Sequence, residues 1–178
     1  MAVIGNKKYA KRIETQLSKY PDKRSAVMPL LYIAQEEYGW VTDEALREVA
    51  ELCEMDSTQV KSIAGFYTMY REKPSGKHWV YVCTDLACAL EGGDDLYEKV
   101  LEELGLDHHN DTTEDGLFTV EHQMCLGACD RAPMLQCNYH FSDSENGEYR
   151  NLRDAEGKID MEKVNKILDY WRGRERYG

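Results

Sequence analysis

No stretch of the 178 residues approaches the roughly 18 to 20 consecutive apolar positions that crossing a bilayer requires. The start, MAVIGNKKYAKRIETQ, also lacks the apolar core of about 7 to 15 residues that marks a secretory signal. Basic charge is scarce: 22 lysines and arginines stand against 33 aspartates and glutamates, a formal net charge of −11, which argues against nucleic acid and anionic membrane surfaces as partners. C-x-x-C is absent, so thioredoxin-type dithiol chemistry fits poorly, and the C-x2-C-x2-C run usual for a 4Fe–4S cluster is absent too. There is no glycine-rich dinucleotide fingerprint, flavin motif, internal repeat or low-complexity segment. These absences predict a mature, soluble, cytoplasmic protein that acts through protein or small-molecule partners and inserts in no membrane.

What is present is helical periodicity followed by a change of period. Tyr9, Ile13, Leu17 and Tyr20 share one helical face; Val27, Leu30, Leu31 and Ala34 line a second helix that Gly39 should cap. Pro29, within the first two turns of that helix, predicts a late start or a kink. Thr42 can cap a third helix burying Leu46, Val49, Ala50 and Cys53, and Asp56 with Gln59 has capping-box spacing before a fourth helix lined by Val60, Ile63, Ala64 and Tyr67. KPSG, residues 73–76, is the clearest turn punctuation. Beyond it KHWVYVC reads as a strand, 94–104 as a helix, LFTVEHQMC and PMLQCNYHF as strands, ENGE as a hairpin turn before a possible fourth strand, and Asp160 as the cap of a last helix. The expected fold is α+β: a helical unit over 1–73, then an α/β domain over 77–178 with a mixed sheet of thioredoxin-like order.

Six cysteines in a reducing compartment are more readily ligands or buried thiols than disulfides. Four of them form two pairs, Cys83 and Cys88 in VCTDLACAL and Cys125 and Cys129 in MCLGACDRAP. Each pair sits in a loop leaving the C-terminal end of an expected strand. Such loops converge readily, because strands in one sheet lie about 4.8 Å apart. Four thiolates together need a cation, zinc or iron. Zinc knuckles generally use two-residue spacers, whereas these are four and three; the spacing leans toward iron–sulfur and leaves zinc open. Gly127 and Ala128 would also let backbone N–H groups approach bridging sulfides.

These residues resemble the thioredoxin-like 2Fe–2S subunit of NADH:quinone oxidoreductase, complex I. The resemblance runs through MPLLYIAQEEYGWVT, VKSIAGFYTMYREKPSGKHWVYVC and TEDGLFTVEHQMCLGACDRAPM to the terminal helix. It implies that Cys83, Cys88, Cys125 and Cys129 hold one 2Fe–2S cluster and that the chain is a redox subunit of an NADH-oxidising enzyme. FMN and NADH would then sit on a flavoprotein partner among other hydrophilic-arm subunits, on the cytoplasmic side of the inner membrane. Relatives in soluble NAD-linked hydrogenases and formate dehydrogenases share the motifs. A zinc-stapled interaction module without redox activity is the reading from a different class. One region departs from the family's pattern: SDSENGEYRNLRDAEGKID, between the third expected strand and the last helix, is longer and more polar than the usual hairpin.

The remaining candidates have plainer expectations. Cys53 is read as a core thiol, and Cys137 as packing with some influence on the cluster. His108 and His109 fall in a polar loop. His122, three residues before Cys125, is a minor candidate for tuning the site. Phe66 and Tyr67 are expected to pack where the two domains join, and Pro133 is a position where a cis peptide can occur.

Overall fold

The computed structural model describes residues 7–107, 112–138 and 151–174, and the chain divides between Ser75 and Gly76 into two compact units. In the first unit several helix ends have a local cause. Helix α1 (Lys7–Ser18) buries Tyr9 and Ile13. Leu17 is half-buried, but α1 stops short of Tyr20, which is 38% exposed rather than facing the core. A 3-10 turn, Lys23–Ala26, leads into α2 (Val27–Tyr38). Pro29 does not delay α2, because it is the third helical residue, where an N–H would have no acceptor within the helix. Gly39, at φ +79°, ends α2 in the left-handed conformation that glycine adopts without steric cost.

Thr42 accepts the Ala45 N–H to start α3 (Asp43–Cys53), and Asp56 with Gln59 makes the expected capping box of α4 (Ser57–Phe66). The four helices enclose Tyr9, Leu30, Leu31, Val49, Cys53 and Val60. Phe66 departs from expectation: it is 78% exposed, its ring edge-on at 5.0 Å to the half-buried Tyr67. As the last residue of α4 it has no following turn to hold it inward.

The second unit is built on a mixed three-stranded sheet ordered β2–β1–β3. Strand β1 (His78–Cys83) runs parallel to β2 (Phe118–Gln123), with His78 opposite Phe118 and Cys83 opposite Gln123. The short β3 (Leu135–Cys137) is antiparallel to β1, Val82 facing Leu135. Between β1 and β2 lie α5 (Leu86–Leu90) and α6 (Gly93–Leu104); α7 (Met161–Arg172) closes the unit, and Asp160 caps it by accepting the Lys163 N–H. One sheet face, with Val80, Val82, Phe118, Val120 and Leu135, shares a core with Leu96 and Val100 of α6 and with Val164, Leu168 and Trp171 of α7. Each fully buried side chain of leucine size contributes about 1.5–3 kcal/mol to this core.

All six residues of β1 are buried, as a strand central to a sheet requires. Its histidine is partnered at one ring nitrogen: His78 Nδ1 lies 2.8 Å from the Asn138 side-chain amide. KPSG also has a tertiary reason. A Cβ on Gly76 would lie 2.6 Å from the Phe118 carbonyl carbon, so this residue must be glycine for the chain to pass β2. The expected ENGE hairpin and His108–His109 doublet lie outside the described residues, and in place of a fourth strand residues 151–160 hold only an isolated antiparallel bridge between Arg153 and Ile159. Among those described, no helix is long and apolar enough to cross a membrane.

Candidate metal centre

Because β1 and β2 are parallel, both end at one edge of the sheet, and antiparallel β3 begins there. Cys83 is the last residue of β1, and Cys125 follows β2 by two positions. The strands are joined at this edge by the Thr84 N–H donating to the Gln123 carbonyl at 3.0 Å and the Cys83 N–H donating to the Met134 carbonyl at 3.2 Å. Parallel pairing therefore brings both cysteine pairs to the same end.

The first pair does not lie in a simple loop. Cys88 sits in the middle of α5, the five-residue helix that reverses through Gly92, at φ +86°, into α6. Gly93 follows, and a Cβ there would lie 2.6 Å from the Cys83 carbonyl oxygen and 2.9 Å from the Cys88 carbonyl carbon and oxygen. Helix α6 can press against the first pair only because this residue has no side chain. In the second pair, Gly127 has φ +74° with nothing near a would-be Cβ, so its dihedral alone calls for glycine. Cys129 then opens a 3-10 turn, Cys129–Arg131, and the Ala132–Pro133 peptide bond is cis.

The four thiols are unequal. Cys83 and Cys88, 2% and 1% exposed, lie in a small apolar cluster with Ala128 and Met134, whereas Cys125 and Cys129 are exposed. They meet in twos: Cys83 is hydrogen-bonded to Cys88, and Cys125 to Cys129, while the charge of Cys129 is felt at Cys88 and that of Cys83 at Cys129. Burial pushes the Cys88 thiol up to about 12, the hydrogen bond and charge of Cys83 adding to it while a hydrogen bond with the Met134 backbone opposes it. Cys129 is raised chiefly by partial desolvation, then by Cys125, Cys83 and Asp85. Thiols that resist one another's ionisation become thiolates together when a cation compensates them.

The donor set also tests which cation fits. A four-cysteine zinc site puts four thiolates on one ion. A 2Fe–2S cluster asks for two per iron, its sulfides completing each metal, and paired thiols suit that division.

The other candidates fall elsewhere. Cys53 is fully buried in the helical core, where burial pushes its thiol up to about 11. Cys137 packs in the sheet–helix core rather than in the small cluster of Cys83 and Cys88, and burial raises its thiol as well. His122 is exposed at the end of β2, its ring edge-on to Tyr97 at 5.8 Å. Sequence reasoning missed α5 and the close approach at Gly93. The signal was the glycine pair in EGGDD, which places a chain reversal and a tight contact side by side.

Three comparisons bear on this site. The family described as thioredoxin-like 2Fe–2S ferredoxin matches residues 13–171. The chain is 41% identical over 140 residues to a subunit of the NADH-quinone oxidoreductase of Mycobacterium tuberculosis strain H37Rv, covering 78% of this chain and 55% of that one. It therefore spans about half the length of the mycobacterial relatives. With the corresponding NADH-quinone oxidoreductase subunit of Rickettsia typhi it shares 39% identity over 169 residues, 93% of this chain and 91% of that one. The solved NAD+-reducing NiFe hydrogenase, in its H2-reduced state, aligns with a TM-score of 0.60 at 14% identity over 82% of this chain and 22% of that one, a likeness of fold alone.

Proposed function

Because the chain belongs to the thioredoxin-like 2Fe–2S ferredoxin family, we propose that it is the electron-transfer subunit of an NADH-oxidising complex of the NADH:quinone oxidoreductase type. In this reading Cys83, Cys88, Cys125 and Cys129 hold one 2Fe–2S cluster. The observation that carries it is the meeting of the four thiols in two pairs at one sheet edge. Such a cluster, when bound, supplies a one-electron donor and acceptor. The chain's own part is to bind and to shield. Cys83 and Cys88 anchor from the interior, with Met134 and Ala128 excluding water around them, and Cys125 and Cys129 leave the opposite edge accessible to a redox partner. That partner carries the FMN and NADH site, and the assembly lies on the cytoplasmic side of the membrane. The division into a helical domain, 1–73, and a ferredoxin domain, 77–178, belongs to the same proposal.

Metal content tests it directly. Protein purified anaerobically should contain two irons and two acid-labile sulfides per chain, the composition that defines the cluster. Dithionite should bleach its visible bands and produce a spin-one-half EPR signal at low temperature. Stoichiometric zinc without iron would reject the reading in favour of a zinc-stapled module.

The partner gives a second expected result. Coexpressed with its flavoprotein, the chain should co-purify with it at 1:1, because a half-exposed cluster site has an electron source only within an assembly. Migration solely as a free monomer in that experiment would contradict a subunit role. The identity of the other co-purifying chains distinguishes a respiratory complex from a soluble NAD-linked hydrogenase or formate dehydrogenase.

A further inference from the structure

We infer that residues 151–160 form a clasp tying the two cysteine loops together, latched by the Glu91–Arg153 ion pair, and that this clasp governs how long the site retains its cluster. The inference rests on the assignment of Cys83, Cys88, Cys125 and Cys129 as ligands. On one side, the Asn151 N–H donates to the Arg131 carbonyl at 2.9 Å and the Leu152 N–H to the Pro133 carbonyl at 3.3 Å. The segment is thus bonded to the chain that immediately follows Cys129. On the other side, the Arg153 guanidinium pairs with the Glu91 carboxylate at 2.5 Å. Arg153 and Ile159 also approach Gly92, where a Cβ would lie 3.9 Å from Arg153 Nη2 and 3.6 Å from Ile159 Cδ1. Glu91 and Gly92 are the corner between α5, which carries Cys88, and α6. Three consecutive residues therefore reach one cysteine loop by backbone and the other by side chain.

The clasp is itself held in shape. Arg153 bridges antiparallel to Ile159, the Asp154 N–H donates to the Lys158 carbonyl at 2.8 Å, and the Asp160 N–H donates to the Leu152 carbonyl at 3.0 Å. Leu152 is fully buried, and Lys163 Nζ of α7 donates to the Arg153 carbonyl at 2.7 Å. A cluster held by two loops leaves when the loops part, and groups that fix ligand orientation from behind alter metal retention. Glu91 and Arg153 are positioning residues: neither is a ligand. Both side chains are partly exposed, 48% and 32%, so the pair adds little to overall folding. That separates retention from stability.

The test uses the full chain loaded with cluster and challenged anaerobically with an excess of an iron chelator, following loss of visible absorbance. Iron and sulfide analysis of the unmutated protein comes first; a chain without a cluster there refutes the ligand assignment itself. With the cluster present, Arg153→Ala and Glu91→Ala should each release iron about three- to fivefold faster, the effect of losing one partly exposed ion pair from the barrier. The charge-swapped double variant, Glu91→Arg with Arg153→Glu, should return toward the unmutated rate. Lys166→Ala removes an ion pair with Glu162 that touches neither loop, so its rate should not change. EPR spectra and thermal midpoints should stay the same throughout. Unmutated release rates in both single variants, or an acceleration that the swap does not relieve, would overturn the clasp. If Arg153→Ala fails to fold, Glu91→Ala and the swap decide the matter.

Discussion

Alanine at Cys83, Cys88, Cys125 or Cys129 is expected to abolish stable cluster binding, while alanine at Cys53 or Cys137 leaves the visible spectrum intact. Each iron would draw two thiolates from one chain, so losing one removes half of an iron's protein ligands. No spare thiol is at hand. Cys53 is enclosed in the helical core and Cys137 in the core between sheet and helices, each apart from the apolar cluster that surrounds Cys83 and Cys88. Their removal deletes only a buried sulfur, which costs about 1 to 2 kcal/mol of folding stability. Iron per folded chain across the six variants is the deciding measurement. Full occupancy in any of the four, or loss of iron in a folded Cys53 variant, would sink the assignment.

Gly93→Ala should be the most damaging substitution that touches no cysteine. Helix propensity alone predicts the reverse, since alanine is favoured over glycine within a helix by about 1 kcal/mol. The packing decides the sign. The new Cβ would come within 2.6 to 2.9 Å of three backbone atoms of Cys83 and Cys88, and backbone cannot swing aside as a flexible side chain can. Forcing α6 away should cost about 1–3 kcal/mol, the range for overpacking, and displace the inner cysteine pair along with it. The expected outcome is a lower denaturation midpoint together with reduced iron retention. Gly105→Ala is the contrast: that residue needs a left-handed φ, +66°, which Gly93 does not, and nothing lies within reach of its Cβ. It should lose stability through strain and keep its iron. A Gly93→Ala protein as stable and as iron-loaded as the parent would show that α6 does not press on the site.

Much of the helical unit is legible because its signals are local. Thr42, Asp56 with Gln59, and Asp160 each form their capping bond within three residues, so the bond depends on chain geometry rather than on the rest of the fold. Gly39 marks its helix end for the same reason. Tyr20 and Phe66 depart from expectation because both stand at or past a helix end, where periodicity no longer says which way a side chain points. In the second unit the strands and their succession along the chain are legible from apolar runs and turn residues. Helix α5 is not: five residues are too few to show a period.

The site divides along the same line. Its candidate ligands are legible in the spacing of four cysteines, since which side chains exist and how far apart along the chain they lie is a matter of sequence, whereas that spacing left zinc open beside iron–sulfur. The sequence by itself thus determined the pairing of the cysteines along the chain, the helix caps and the switch from helical to mixed structure after KPSG. Only the tertiary structure decided which thiols are inside, why Gly93 admits no side chain, and how Asn151, Leu152 and Arg153 meet both cysteine loops. The reason is physical. Burial, close approach of backbones and an ion pair between residues 62 positions apart (153 − 91) depend on how β1, β2 and β3 align, and no window of local sequence contains that alignment.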